Sequence, residues 1–317
     1  ATGLRTRQDD AAIGLTTVQR REAQTMATLL SKAPTGRFFA GFGAADLAAQ
    51  VPRGRPVEPT APPQLKVLLL GLDGAQKLAI ATLDSVAIGD RTYAVVAAFV
   101  GEAAGLPANR VLVLASHAHA GTRLPQPPIV NLAFGAREVD EADLALCART
   151  AARAARKAFG SARIGFAQTD FPRYVAQRTP GATGGVDTQL RTALIDRDGA
   201  RLLLWSYAAH PTLAGRTASH RDADYPGRVE GFLKRGLHAQ MAIFLPGQTA
   251  QAGAAATRNP QEFASALAEA LAGLRVLADG SPTEQCALEM TAMTTDEGVA
   301  LPLFGPFTLA PYIGKQL

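Results

Sequence analysis

Three of the five histidines in this chain stand directly after apolar runs. His117 and His119 close V-L-V-L-A-S-H-A-H-A-G (111–121), and His210 closes L-L-L-W-S-Y-A-A-H-P-T (202–212). Residues 111–114 are apolar and rich in β-branched side chains, the pattern of a buried strand. If extended backbone continues through the H-x-H, both imidazoles point the same way, because the side-chain period of a strand is two. Ala115, Ala118, Ala120 and Gly121 leave room beside them for a metal or a substrate. A lone H-x-H fits an ordinary pair of strand-end histidines as well as a metal site. A second apolar run that delivers a histidine at its end favours a shared metal site. Ser116 reads as a strand-end hydrogen-bonding residue, not a nucleophile.

The elements that must position these residues follow an α/β rhythm. An Ala- and Val-rich helix over 92–105, a turn at Pro107–Asn109 and the buried strand place the histidines at a carboxyl strand end, where open α/β sheets commonly bind ligands. Upstream, a helix is expected over 8–32, ended by Pro34 and Gly36. A strand over 38–47 follows, then a loop with five prolines over 52–63. Strands over 67–70 and 77–83 flank Asp73-Gly74, a hairpin signal. Pro125, Pro127 and Pro128 form a loop, and 141–159 is an amphipathic helix with Arg149, Arg153, Arg156 and Lys157 toward its C-terminal half. A strand over 163–168, an irregular loop over 174–185 and a hairpin of 189–196 with 201–208 about Asp198-Gly199 come next. A loop leads into a helix with Pro226 in its first turn, then a strand over 241–245 and a small, polar stretch over 247–258. A helix over 260–274 begins after Asn259, a good cap with proline following it. Strands are expected over 287–293 and 299–304. The fold class is α/β, a mixed β-sheet core flanked by helices.

Composition excludes several function classes. With 47% hydrophobic and 19% charged residues the chain is globular in character. Its net charge of +5 comes from scattered arginines without a dense basic run, so a nucleic-acid surface is not indicated. Two cysteines, Cys147 and Cys286, form neither a disulfide framework nor a zinc knuckle. No run reaches the roughly 18 apolar residues of a membrane span. The G-x-S-x-G elbow, the phosphate loop and the dinucleotide fingerprint are absent. The chain begins at Ala1 without a methionine; a removed leader would favour a secreted or periplasmic location.

With these segments placed, the sequence resembles the neutral/alkaline (non-lysosomal) ceramidase family over roughly residues 38–304. A-G-F-G-A-A-D-L (40–47) is similar to the family's opening G-x-x-x-x-D-I-T strand. S-H-A-H-A-G stands where the family has T-H-T-H-S-G, while A-A-H-P-T (208–212) and D-A-D-Y-P-G (222–227) resemble C-H-P-T and S-A-D-Y-P-G. The resemblance implies a ceramidase-like α/β domain over 38–317, with residues 1–37 as an N-terminal helical extension. It also implies zinc-dependent hydrolysis of an amide bond, in ceramide or a related N-acyl compound, by metal-activated water. By position His117 and His210 would be zinc ligands, and His119 the catalytic histidine that stabilises the tetrahedral intermediate or shuttles a proton. Arg178, in V-A-Q-R, would bind substrate; Gln177 replaces the family's asparagine. The chemistry is sound, since neutral imidazoles bind zinc and zinc lowers the pKa of its water toward 7.

The departures point the other way. The family's G-D-x-x-P turn is replaced by P-G-Q-T-A-Q-A-G (246–253), and its remaining ligands, a Glu and a Tyr, lie beyond Leu317. Glu289 and Tyr312 are present but outside the family's motif context. Asp222, Asp224 or His220 could complete the ligand set, or could only shape their loop. The alternative reading is a catalytically silent, ceramidase-like binding or structural protein.

Overall fold

The computed structural model of the chain describes residues 35–47, 61–124, 139–178, 185–215, 221–247, 249, 252–280 and 283–287, with two short strands beyond. The helix expected over 8–32, the Pro125–Pro128 loop, His220, Glu289 and Tyr312 lie outside the described residues.

Two sheets carry the fold. In the first, β1 (Thr35–Asp46), β2 (Gln64–Leu72), β3 (Ala75–Leu83) and β4 (Val111–Ala115) are adjacent in that order. β1, β2 and β3 run antiparallel, whereas β4 is parallel to β3. The crossover from β3 to β4 is helix α1 (Asp90–Ala104), ended by Gly105 at φ 75 in the left-handed conformation that glycine adopts without strain. Helix α2 (Glu141–Lys157) and the two-residue β5 (Gly160–Ser161) lead to the second sheet. There β6 (Arg163–Asp170), β8 (Gln189–Arg197), β9 (Ala200–Tyr207) and β10 (Met241–Pro246) are ordered β10-β9-β8-β6. β10 lies parallel to β9 and the other pairs are antiparallel. Helix α3 (Asp224–Leu237) connects β9 to β10, and helix α4 (Pro260–Gly280) follows.

Side-chain alternation along the strands builds a four-layer stack. Leu65, Val67 and Leu69 of β2 face Val96 and Val100 of α1 and Leu144 and Ala148 of α2. Leu68 and Leu70 of the same strand point the other way, onto Ile195, Leu202, Leu204 and Ile243 of the second sheet. Leu203, Trp205 and Phe244 on the far side of that sheet meet Tyr225 and Val229 of α3 and Phe263 and Leu267 of α4. Strands buried on both faces read as continuous apolar runs, which is why L-K-V-L-L-L and L-L-L-W are so legible. α2 approaches β1 closely: a Cβ on Gly41 would lie 2.2 Å from the Ala155 carbonyl oxygen. Asp140 caps α2 by accepting from the Asp143 N–H, and Asn259 caps α4 through Gln261 and Glu262.

Where the expected elements fall on described residues they are present with shifted ends, and two loops contain structure. Within the expected 174–185 loop, β7 (Val175–Gln177) pairs antiparallel with β11 (Ala252–Ala254), inside the polar 247–258 stretch. Three-residue strands leave too short a pattern for periodicity to register. Of the strands expected over 287–293 and 299–304, the described residues show β12 (Gln285–Ala287), paired with β1, and β13 (Leu303–Phe304), paired with β14 (Phe307–Thr308).

One charged pair crosses the layers. Lys66, on the inward face of β2, donates to Glu230 of α3 and, at 3.3 Å, to the Ala242 carbonyl. Both side chains are buried. Burial alone would raise the Glu230 carboxyl, but Lys66 and then Lys234 hold it below the ordinary value. Glu230→Gln leaves Lys66 buried without its counter-charge and should cost about 3–5 kcal/mol in urea unfolding, while a Lys66→Met, Glu230→Leu double variant recovers most of that loss.

Candidate metal and catalytic site

The two parallel pairs, β3/β4 and β9/β10, end at one place. Asp84 follows β3, His117 and His119 follow β4, His210 follows β9 and Thr249 follows β10. The two sheets thus bring their carboxyl strand ends together, and the His119 and His210 rings lie 4.9 Å apart between centroids.

The histidines do not meet through strand alternation. β4 is paired only as far as Leu83↔Ala115, where its neighbour β3 stops, and the ladder hydrogen bonds that would keep residues 116–119 extended end with it. His117 instead adopts φ 64, a left-handed conformation uncommon outside glycine, and His119 begins a turn. The turn is fixed from below. The Ser116 N–H donates to Leu83 O and the Thr122 N–H to Asp84 O, each at 2.9 Å. Gly121 lies so close that a Cβ would stand 2.5 Å from the Asp84 carbonyl oxygen. The buried Ser116 hydroxyl falls short of hydrogen-bond geometry, though it is near enough to act on the Asp84 carboxyl.

The result is a cluster of three imidazoles. One ring nitrogen from each of His117, His119 and His210 lies within 4.8 Å of the others. His117 Nδ1 is 2.7 Å from Val86 O, and His210 Nδ1 is 2.8 Å from Thr249 O. A carbonyl only accepts, so each Nδ1 that donates to it leaves the ring's Nε2 as a lone pair, the form a metal ligand needs. His119 Nε2 lies 2.9 Å from His210 Nε2. Burial, and then the Arg178 charge, lower the His117 pKa against the raising effect of the Val86 carbonyl, which keeps the ring neutral. These features fit a divalent transition metal. Among the described residues no Asp, Glu or Cys joins the cluster.

Arg178 lies beside the cluster. β7 ends one residue before it, and the paired β11 also receives the His210 N–H through Ala252 O at 3.2 Å. Arg178 Nη1 is 2.6 Å from His210 Nδ1. The guanidinium can only donate and Thr249 O can only accept, so the two contacts call for opposite tautomers of His210. The metal-ready tautomer is the one that donates to Thr249 and releases Arg178. Val86 and Thr249 have no signature in the sequence because both act through main-chain oxygens. In the altered P-G-Q-T-A-Q-A-G turn, the described polar contact with the histidines comes from backbone.

Asp222 and Asp224 are engaged elsewhere. Asp222 pairs with Arg228 through two contacts of 2.5 and 2.9 Å, accepts from the Asp224 N–H, and sends its own N–H to Ala120 O at 2.8 Å. Asp224, at φ 58, accepts from the backbone of Leu213, Ala214 and Tyr225. One aspartate therefore ties down the His119 turn and the other the loop after His210. Asp224→Ala should lower stability by about 1–3 kcal/mol and weaken metal binding about 10–100-fold, measured by thermal unfolding and metal titration.

No protein-family model matches the sequence, and no curated protein matches it. The fold has solved counterparts. The neutral ceramidase of Pseudomonas aeruginosa superposes with a TM-score of 0.65 at 14% identity, over 81% of this chain and 47% of that one. A ceramidase complexed with C2 gives 0.63 at 15% identity, over 81% and 46%. The chain spans about half the length of these structures, and over that span it shares the fold of ceramidases.

Proposed function

We propose that the chain is a zinc-dependent amide hydrolase of ceramide or a related N-acyl compound. The observation that supports this most is the cluster of three imidazoles at the joined strand ends of a fold that ceramidases share. His117 and His210 are the metal ligands, each oriented by a backbone carbonyl. When bound, zinc supplies a Lewis acid that lowers the pKa of a water toward 7 and polarises the amide carbonyl. Hydrolysis adds the hydroxyl of water to the acyl carbon and breaks the C–N bond, and the nitrogen leaves with a proton. His119, 2.9 Å from a ligand imidazole, is placed to carry that proton. Arg178, once released from His210, donates to the substrate.

Three protein ligands are usual at catalytic zinc, and the same cluster offers His119 as the third. Metal titration of His119→Ala separates the roles. As a proton carrier, His119 can be lost with zinc binding intact and kcat reduced about 10²–10⁴-fold; as a ligand, its loss abolishes stoichiometric zinc.

Calorimetric titration of the metal-stripped protein should show one zinc per chain, with His117→Ala and His210→Ala each weakening it by about 100-fold or more. The zinc-loaded protein should release fatty acid from N-acyl sphingosine or shorter N-acyl amines. Stoichiometric zinc without turnover on any N-acyl compound favours the silent scaffold instead.

A further inference from the structure

A second polar cleft lies in the helix layer of the first sheet, away from the histidines. α1 leaves the histidine end of the β3/β4 pair and finishes where β4 begins, so its carboxyl end lies at the opposite end of that pair from His117. There α1 and α2 share a cavity of about 450 Å³, lined by Glu102 and Ala103 of α1 and by Arg149, Arg153, Arg156 and Lys157 of α2. Arg149, Arg153 and Arg156 recur on one face of the helix, and Lys157 stands next to Arg156. Two of the four cations are held in place. Arg156 Nη1 donates to Ala103 O at 3.3 Å, in a last turn of α1 that has no basic residue of its own. The Arg149 guanidinium lies over the Phe99 ring, 4.1 Å from its centroid. Arg149 Nε makes no hydrogen bond, and the Glu102 carboxylate stands off from it at 3.6 Å. Arg153 and Lys157 are exposed and pair with no carboxylate among the described residues.

We infer that this cleft binds a phosphate group, carried by a small soluble molecule or by a lipid headgroup. Four cations stand against one carboxylate, that of Glu102. The carboxyl ends of α1 and α2 add about half a negative charge each, which leaves roughly two positive charges for a ligand. A phosphate monoester carries about 1.5–2 negative charges at pH 7 and matches that surplus. Its three terminal oxygens can take donors from successive turns of α2, where a carboxylate has only two oxygens to share. Guanidinium forks already fixed by Phe99 and by Ala103 O lose little freedom when they bind. The cavity volume falls within the range of small-molecule sites. The cleft is separate from the imidazole cluster, so its ligand is independent of any metal held there.

Calorimetric titration of the protein with inorganic pyrophosphate, without added metal, should show saturable binding of one anion per chain that weakens in added salt. An Arg153→Gln, Lys157→Gln double variant should bind about tenfold or more weakly. Glu102→Gln, which removes the opposing carboxylate, should tighten binding about two- to fivefold, a gain that a misfolded variant cannot mimic. An Arg235→Gln, Arg258→Gln variant, with the same charge change in the α3–α4 layer, should bind like the unaltered protein. Sedimentation with phosphatidylcholine vesicles that contain phosphatidate separates the two sources. Cosedimentation lost in the Arg153→Gln, Lys157→Gln variant assigns the phosphate to a lipid headgroup, and pyrophosphate binding without cosedimentation assigns it to a soluble molecule. Failure of both probes to bind, or binding that the cleft substitutions leave unchanged, overturns the inference.

Discussion

The site depends on a clamp that holds two loops from two different sheets against each other. Asp222 and Asp224, at the head of α3, reach the His119 turn on one side and the loop after His210 on the other. The His119 N–H completes the join by donating to Pro211 O at 3.2 Å. Inter-sheet packing brings the strand ends to the same level, but apolar side chains set no register finer than a side chain's width. Directional hydrogen bonds supply the rest, because a buried N–H without an acceptor costs more than a slightly imperfect apolar contact.

The same logic explains why backbone oxygens orient the imidazoles. Val86 and Thr249 stand in the segments that follow β3 and β10, so their carbonyl positions are inherited from the strands. An imidazole held this way keeps one tautomer and one ring plane. The strained φ of His117 belongs to this scheme: the left-handed residue turns the chain out of the sheet and sends its ring toward Val86 O.

Much of this was legible in the sequence where residues repeat a pattern or end one. The doubly buried strands, the Asp73-Gly74 and Asp198-Gly199 hairpins, the cap at Asn259, and the histidines at two strand ends all follow from local chemistry. The H-x-H geometry did not. Extended backbone was the natural expectation, but β3 ends at Leu83, and a strand's partner cannot be read from its own residues. The β7/β11 ribbon was hidden by its length. Val86 and Thr249 were hidden because every residue type has a carbonyl. D-A-D-Y-P-G drew notice as a possible ligand source, and its carboxylates proved to be structural.

X-ray absorption at the zinc edge of the metal-loaded protein tests the central claim most directly. The account predicts a zinc shell containing two or three imidazole nitrogens at about 2.0–2.1 Å, losing one on His117→Ala or His210→Ala. A shell of oxygens alone, unchanged by either substitution, would contradict it.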